Sequence, residues 1–204
     1  MAGLRERKKQ ETRAALSWAA LRLAVERGAD AVTVDEIAAE AGVSPRTFNN
    51  YFTSKYEAIV WRHLDRFGRV ADQLRVRPAT DPLWTALTDA VRAVFGIPDA
   101  AEPGPPAEWT AGVRLLMAQP ELRGEFVKAA SAAERELAAA VAERTGTDPD
   151  QDMHPRLVAA AVGAALHVAT EQWLRVGGPP VALGLLLADA LEQFRAGLPA
   201  PRTV

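Results

Sequence analysis

The run Thr33-Val34-Asp35-Glu36-Ile37-Ala38-Ala39-Glu40-Ala41-Gly42-Val43-Ser44-Pro45-Arg46-Thr47-Phe48 holds two helix starts separated by one tight turn. Thr33 can cap a helix while Glu36, three residues on, reaches back to the cap amide, a reciprocal capping box. That helix, near Val34 to Ala41, turns Ile37, Ala38 and Ala41 inward and stops at Gly42. After Gly42-Val43, Ser44 caps a second helix with Pro45 at its first position, and Arg46 to Tyr51 continue it. Two short helices across a short Gly-containing turn make a helix-turn-helix, whose second member normally enters the DNA major groove.

The neighbouring residues agree. Ala38 is small where the two helices approach, Val43 can plug the core beneath the turn, and Phe48 and Phe52 anchor the second helix from its inner side. Arg46, Thr47, Asn49 and Asn50 give that helix a donor-rich outer surface; arginine reads guanine bidentately and asparagine reads adenine. Ser44 lies at the helix N-terminus, where free amides and the dipole favour phosphate. Upstream, Gln10 to Arg27 is amphipathic, with Leu16, Ala19, Ala20, Leu23 and Ala24 on one face and Gly28 as its stop. Arg5, Arg7, Lys8 and Lys9 form a basic arm before it. Downstream, Ser54 and Glu57 make a second capping box that opens a long helix to about Arg77, and Lys55 is placed there for a phosphate. Its buried seam is Val60, Leu64, Phe67, Ala71 and Leu74.

This string, with Tyr51-Phe52 and Ser54-Lys55, resembles the DNA-binding domain of the TetR (tetracycline repressor) family from about Thr12 to Val60. Two positions depart from the family pattern: Ala24 stands where a bulky residue is usual, and Asn49 where an aromatic is usual. The DNA-facing set expected is Thr33, Ser44, Pro45, Arg46, Thr47, Asn49, Asn50, Tyr51 and Lys55. The resemblance implies a homodimer on palindromic operator DNA, acting as a repressor. The expected domains are a helix-turn-helix domain over 1–53, a connecting helix over 54–77 and an effector-binding and dimerisation domain over 78–204.

Composition is compatible with this reading. The chain has 204 residues, 49% of them hydrophobic and 25% charged, which fits a folded globular chain. It has no cysteine, which excludes disulfides, thiolate metal sites and cysteine nucleophiles. The formal charge is −2, but 14 Lys and Arg face 10 Asp and Glu up to Arg77, and 10 face 16 beyond it. A basic front on an acidic body suggests that only the front meets a polyanion. The opening residues lack the apolar run of a secretory signal, and no apolar stretch is long enough for a bilayer, so the expected location is the cytoplasm.

Beyond Arg77 the periodicity is helical throughout, giving an all-α chain of about nine helices. Ile97 to Pro106, with four prolines, reads as a loop, and Gly177-Gly178-Pro179-Pro180 as a break. Leu157 to Leu174 is apolar nearly all round, and the last helix carries a broad leucine stripe. An interface is expected from Val162, Leu166, Ala169 and Trp173 on the one and Leu183, Leu187, Leu191 and Phe194 on the other. The family pairs its last two helices with their two-fold mates; filling the chain's own core is the other reading.

Trp84, Leu87, Val91, Phe95, Trp109, Val113, Met117 and Phe126 can wall an apolar cavity, although an ordinary core would look the same. The family resemblance implies an effector pocket here. Gln119 to Arg123, Ala140 to Gly146 and Trp173 resemble an actinobacterial branch with acyl-CoA-like effectors. His167 and Glu171 are four apart and are expected to form a buried hydrogen bond or line that pocket; without a third ligand, no metal and no cofactor are expected. Three histidines and no phosphate loop offer no catalytic constellation. A regulator without an effector and a helical protein-interaction scaffold remain the alternatives.

Overall fold

The computed structural model describes residues 2–95, 107–175 and 183–199, the side chains of residues 2, 63, 64, 107 and 108 excepted. Among the described residues there are nine helices and no strand. They are α1 (Ala2–Arg27), α2 (Val34–Glu40), α3 (Pro45–Asn49), α4 (Lys55–Arg75), α5 (Leu83–Phe95), α6 (Ala107–Met117), α7 (Pro120–Thr145), α8 (Met153–Trp173) and α9 (Leu183–Arg195). The all-α expectation holds. The loop expected over 97–106, the break over 177–180 and the Leu64 side chain lie outside the described residues.

The basic arm is not a separate tail. Helix α1 begins at Ala2, so Arg5, Arg7, Lys8 and Lys9 ride on its exposed first turns. From Leu4 onward these turns are built from good helix formers. Arg7 pairs with Glu11 at 3.4 Å and Gln10 with Glu6 at 3.3 Å, one turn apart in each case.

The chain groups into two compact units, residues 1–65 with 106–129, and residues 66–105 with 130–204. This differs from the expected divisions at 53 and 77, because α6 packs on α1. The Trp109 ring lies 5.6 Å from that of Trp18, and Gly112 sits against Val25, where a Cβ would come 2.6 Å from Val25 Cγ1. In the same unit α1 buries Leu16, Ala19, Ala20, Leu23 and Ala24, as its amphipathic pattern required.

In the second unit, α5 (Leu87, Val91), α7 (Leu137, Val141), α8 (Val158, Val162, Leu166) and α9 (Leu187, Leu191) share one core with Phe67, Val70 and Leu74 of α4. This corrects the expected interface. Val162, Leu166, Ala169, Leu187 and Leu191 are at most 5% exposed in the chain by itself, with Leu183 and Phe194 packed against them, so this stripe fills the chain's own core. Trp173 is half-buried. What α8 leaves exposed is the other side: Met153, Leu157, Ala160, Ala164 and Val168. Arg144, near the end of α7, donates to the carbonyls of Arg77, Pro78 and Asp81 and so clamps the turn between α4 and α5.

Glu134 of α7 lies against Gly163 of α8, a contact that any larger residue at 163 would obstruct. Its carboxylate has no hydrogen-bond or ion-pair partner among the described residues, and desolvation pushes its pKa above the ordinary 4.5. A carboxyl raised in the folded state is harmless while protonated and destabilises the fold as pH climbs through its folded pKa. Glu134→Gln is therefore expected to raise the melting temperature at pH 7–8, with the gain shrinking as the pH falls toward 4.5. Thermal melts across that range check it, and a pH-independent difference would rule it out.

Candidate nucleic-acid interface

Both caps of the helix-turn-helix form as the sequence requires. The Thr33 hydroxyl accepts from Glu36 N–H at 3.3 Å, and Thr33 N–H donates to the Glu36 carboxylate at 2.9 Å. That bond, reinforced by the Thr33 hydroxyl and by Arg27, holds the Glu36 pKa below the usual carboxylate value. In the turn, Val43 N–H donates to Ala38 C=O at 2.9 Å, and Gly42 adopts φ +69°, a left-handed conformation that a side chain would strain. The Ser44 hydroxyl accepts from Thr47 N–H at 3.2 Å and lies 2.9 Å from the Thr47 hydroxyl.

Beneath the turn, Ile37, Ala38 and Phe48 have no exposed surface. The Phe48 and Phe52 rings stand 5.6 Å apart, and Phe52 meets the Trp61 ring of α4 edge-on at 6.1 Å. Arg13 of α1 places its guanidinium 5.2 Å from the Phe52 ring centre and 5.0 Å from that of Trp61, with Glu57 3.7 Å away. These contacts fix which side of α3 faces out.

On that outer side, Arg46, Asn49 and Asn50 are exposed, and their side chains have no protein partner among the described residues. They recur at steps of three and one, so they share one face opposite Phe48. Ser44 and Pro45 are exposed beside them. Thr47 and Tyr51 are half-buried, and Thr33 is exposed but committed to its cap.

Lys55 departs from expectation. Its ammonium donates to the backbone carbonyls of Asp30 at 3.1 Å and Val32 at 2.9 Å, and its side chain is half-buried. The adjacent Tyr56 hydroxyl donates to Asp30 Oδ1 at 3.0 Å, which raises the phenol pKa. Both residues grip the loop between α1 and α2 rather than facing outward. The second capping box is also shared differently: Ser54 accepts from Glu57 N–H at 3.0 Å, while the Glu57 carboxylate takes both the amide and the hydroxyl of Thr53 at 2.8 Å. Nothing local in Ser54-Lys55-Tyr56 signals the loop contact, because its partners lie 23 to 26 residues away.

The expected pocket residues divide between the units. Leu87 and Val91 have no exposed surface, and Trp84 and Phe95 pack partly buried against the same core. Trp109, Val113, Met117 and Phe126 are half-buried in the first unit. The buried bond expected for His167 and Glu171 is not found. Their side chains approach to 3.5 Å on the outer surface of α8 and are 67% and 65% exposed, on a face that packs on nothing among the described residues.

Comparison with known proteins matches residues 18–58 to the family described as bacterial regulatory proteins, tetR family, and residues 81–199 to that described as MftR C-terminal domain. The chain is 34% identical to the HTH-type transcriptional regulator TcmR of Streptomyces glaucescens over 199 residues, covering 96% of this chain and 88% of that one. MftR of Mycobacterium tuberculosis is 29% identical over 197 residues, covering 94% and 93%. Among solved structures, the fatty acid degradation regulator FadR from Bacillus halodurans superposes with a TM-score of 0.53 at 19% identity, over 92% of this chain and 96% of that one.

The Lys55 geometry carries its own test. Lys55→Met should lower stability by about 1 kcal/mol through the loss of its charged hydrogen bonds at a half-buried site. Because Tyr56→Phe loosens the same loop, the double variant should lose measurably less or more than the two losses added, a coupling that denaturant titration of all four proteins reads out. Strict additivity would mean that the two side chains act independently.

Proposed function

The chain belongs to the TetR family of transcriptional regulators, and from that premise we propose that it binds a palindromic operator as a homodimer, represses there, and is released by a small apolar effector. The observation that carries the operator reading is the exposed trio Arg46, Asn49 and Asn50 standing over a fully buried Phe48. Base-edge donors are presented on a helix that cannot roll without exposing a phenylalanine. Arg46, Asn49 and Asn50 carry selectivity, and Arg5, Arg7, Lys8 and Lys9 supply charge to the backbone contact.

One recognition helix offers little surface, so specific control calls for two, roughly 34–36 Å apart on the duplex. The exposed side of α8, with Leu157 59% and Val168 55% exposed among Ala160 and Ala164, supports a second copy as the partner. Leu185 of α9 is exposed as well. In such a dimer His167 and Glu171 lie at the interface rather than in the pocket. The effector reading is supported by Trp84 and Phe95, large side chains that the core covers only in part. The ligand it favours is apolar, with a fatty acyl chain as its simplest form.

The operator and the partner face are tested together. On duplexes selected from a random pool by the wild-type chain, Asn50→Ala should change relative affinity among sequence variants. Arm lysine substitutions should instead weaken all sequences alike and lower the salt slope by about one per lost contact. Lys55→Met should leave that slope unchanged, since its charge is spent on Asp30 and Val32. Ala164→Arg should yield monomers by light scattering and abolish tight binding; tight, specific binding by a monomer would end the dimer reading.

For the effector, acyl-CoAs of graded length should dissociate the complex with potency rising along the series, since each buried methylene contributes about 0.8 kcal/mol. Trp84→Ala should blunt that response while sparing DNA binding. An unchanged DNA affinity at every chain length favours a regulator without this class of effector.

A further inference from the structure

Helix α8 carries just two residues of permanent charge, Arg156 and Glu171. Both are exposed, and their placement opposes the helix: a cation stands in the first turn and an anion in the last. The macrodipole favours the reverse, negative charge near the N-terminus and positive charge near the C-terminus. Among the described residues Arg156 has no hydrogen-bond or ion-pair partner, and Glu171 meets only His167 of its own helix, at 3.5 Å. Charges set against their own helix and left without a partner on any other are placed for something outside the chain.

Both belong to the uncovered stripe of α8. At about 100° per residue, Leu157, Ala164 and Glu171 recur at heptad spacing along one line, drifting by about 20° per step. Ala160, His167 and Arg156 follow one flank of that line, and all six residues are exposed. Arg156 and Glu171 lie about 22 Å apart along the helix axis. The midpoint between them falls at Gly163 and Ala164, where the side chains are smallest.

That symmetry has a direct consequence for a second copy laid on the same stripe. Parallel and in register, it sets arginine on arginine and glutamate on glutamate. Antiparallel about a two-fold axis at Gly163 and Ala164, residue i meets residue j and j meets i, so Arg156 of each copy stands beside Glu171 of the other. The axis keeps a given flank on one side of the pair, which brings the opposite charges to the same edge at both ends. Ala160 and Ala164, near the crossing, let the helix axes approach to about 8 Å.

We propose that Arg156 and Glu171 select the partner: α8 pairs antiparallel with α8 of a second copy across Ala164, through two identical Arg156–Glu171 contacts. Chains of the same fold that lack the reciprocal charges are turned away, because one of their charges then meets a like charge or none. The inference rests on the dimer reading given above, to which it adds an orientation, a register and a basis for choosing self.

The test compares wild type, Glu171→Arg, Arg156→Glu and the double reversal, with dissociation of the full-length dimer followed by analytical ultracentrifugation at low salt. Each single reversal sets like charges together at both ends of the pair and should raise the dissociation constant about tenfold or more. The double reversal restores complementarity and should return it close to the wild-type value. Mixed one to one, the two single variants should form heterodimers in excess of the statistical half, since every charge then faces its opposite. Either reversal places the favoured sign at its helix terminus, so neither should lose helix content by circular dichroism, which separates a lost contact from a damaged α8. A wild-type dimer that neither reversal weakens would overturn the proposal and leave the dimer reading standing. A parallel pair gives that result, because it holds like charges together before and after either change. Weakening by both reversals without recovery in the double variant or in the mixture would overturn it equally. A monomeric wild type would end the dimer reading, and this proposal with it.

Discussion

Helix α3 is five residues long, far below the length at which a helix holds itself together in water. Its conformation and its orientation both come from outside, through the burial of Phe48. That one ring, with no exposed surface, seats α3 in the core and links it through Phe52 to Trp61 of α4. The outer face is then settled without further choice, since Arg46, Asn49 and Asn50 occupy what remains. Ser44 and Gly42 define where α3 begins, but they do not say which way it faces. The energetic weight is uneven: a cap of this kind is worth about 1 kcal/mol, whereas removing a buried phenylalanine costs about 3–5 kcal/mol.

The cations of the reading unit divide by task, and the division is spatial. Arg13 lies on Phe52 and Trp61, Arg62 on Trp18, and Lys55 on two loop carbonyls. All three hold helices or loops together. Arg46 and the cations of the first turns of α1 remain at the surface. A count of basic residues before Arg77 adds both groups together, which is why the excess of positive charge there is a weak guide to how many meet a polyanion. The number that matters is the number left over after internal contacts are made, and only geometry supplies it.

The second unit shows the same limit for apolar surface. Helix α8 has hydrophobic residues on nearly every side, so its core-facing stripe cannot be told from its outward stripe by composition. Packing on α9 within the shared core claims Val162, Leu166 and Ala169, and leaves Leu157, Ala160, Ala164 and Val168 uncovered. The leucines of α9 follow suit, with Leu187 and Leu191 inward and Leu185 outward. Both sides mix large and small residues, and on the uncovered side Ala160 and Ala164, between Leu157 and Val168, would allow a neighbouring helix to approach closely.

What the sequence by itself determined is everything carried by residues within a turn or two of each other. The caps at Thr33 and Ser44, the turn at Gly42, the all-α class and the inward faces of α1 and α3 are of this kind, because capping and helical periodicity are local and have few alternatives. Tertiary structure alone decided the rest. It set α6 against α1 through Trp109 and Gly112, and turned Lys55 toward Asp30 and Val32. It also gave the predicted interface stripe of α8 to the chain's own core and bonded the Ser17 hydroxyl of α1 to the Ala58 carbonyl and the Arg62 amide of α4. Each of these joins residues more than twenty positions apart. Which of several chemically equivalent partners a side chain meets at that separation depends on how whole helices pack, and a helix with two apolar faces or a lysine with two possible acceptors carries no local mark of the choice.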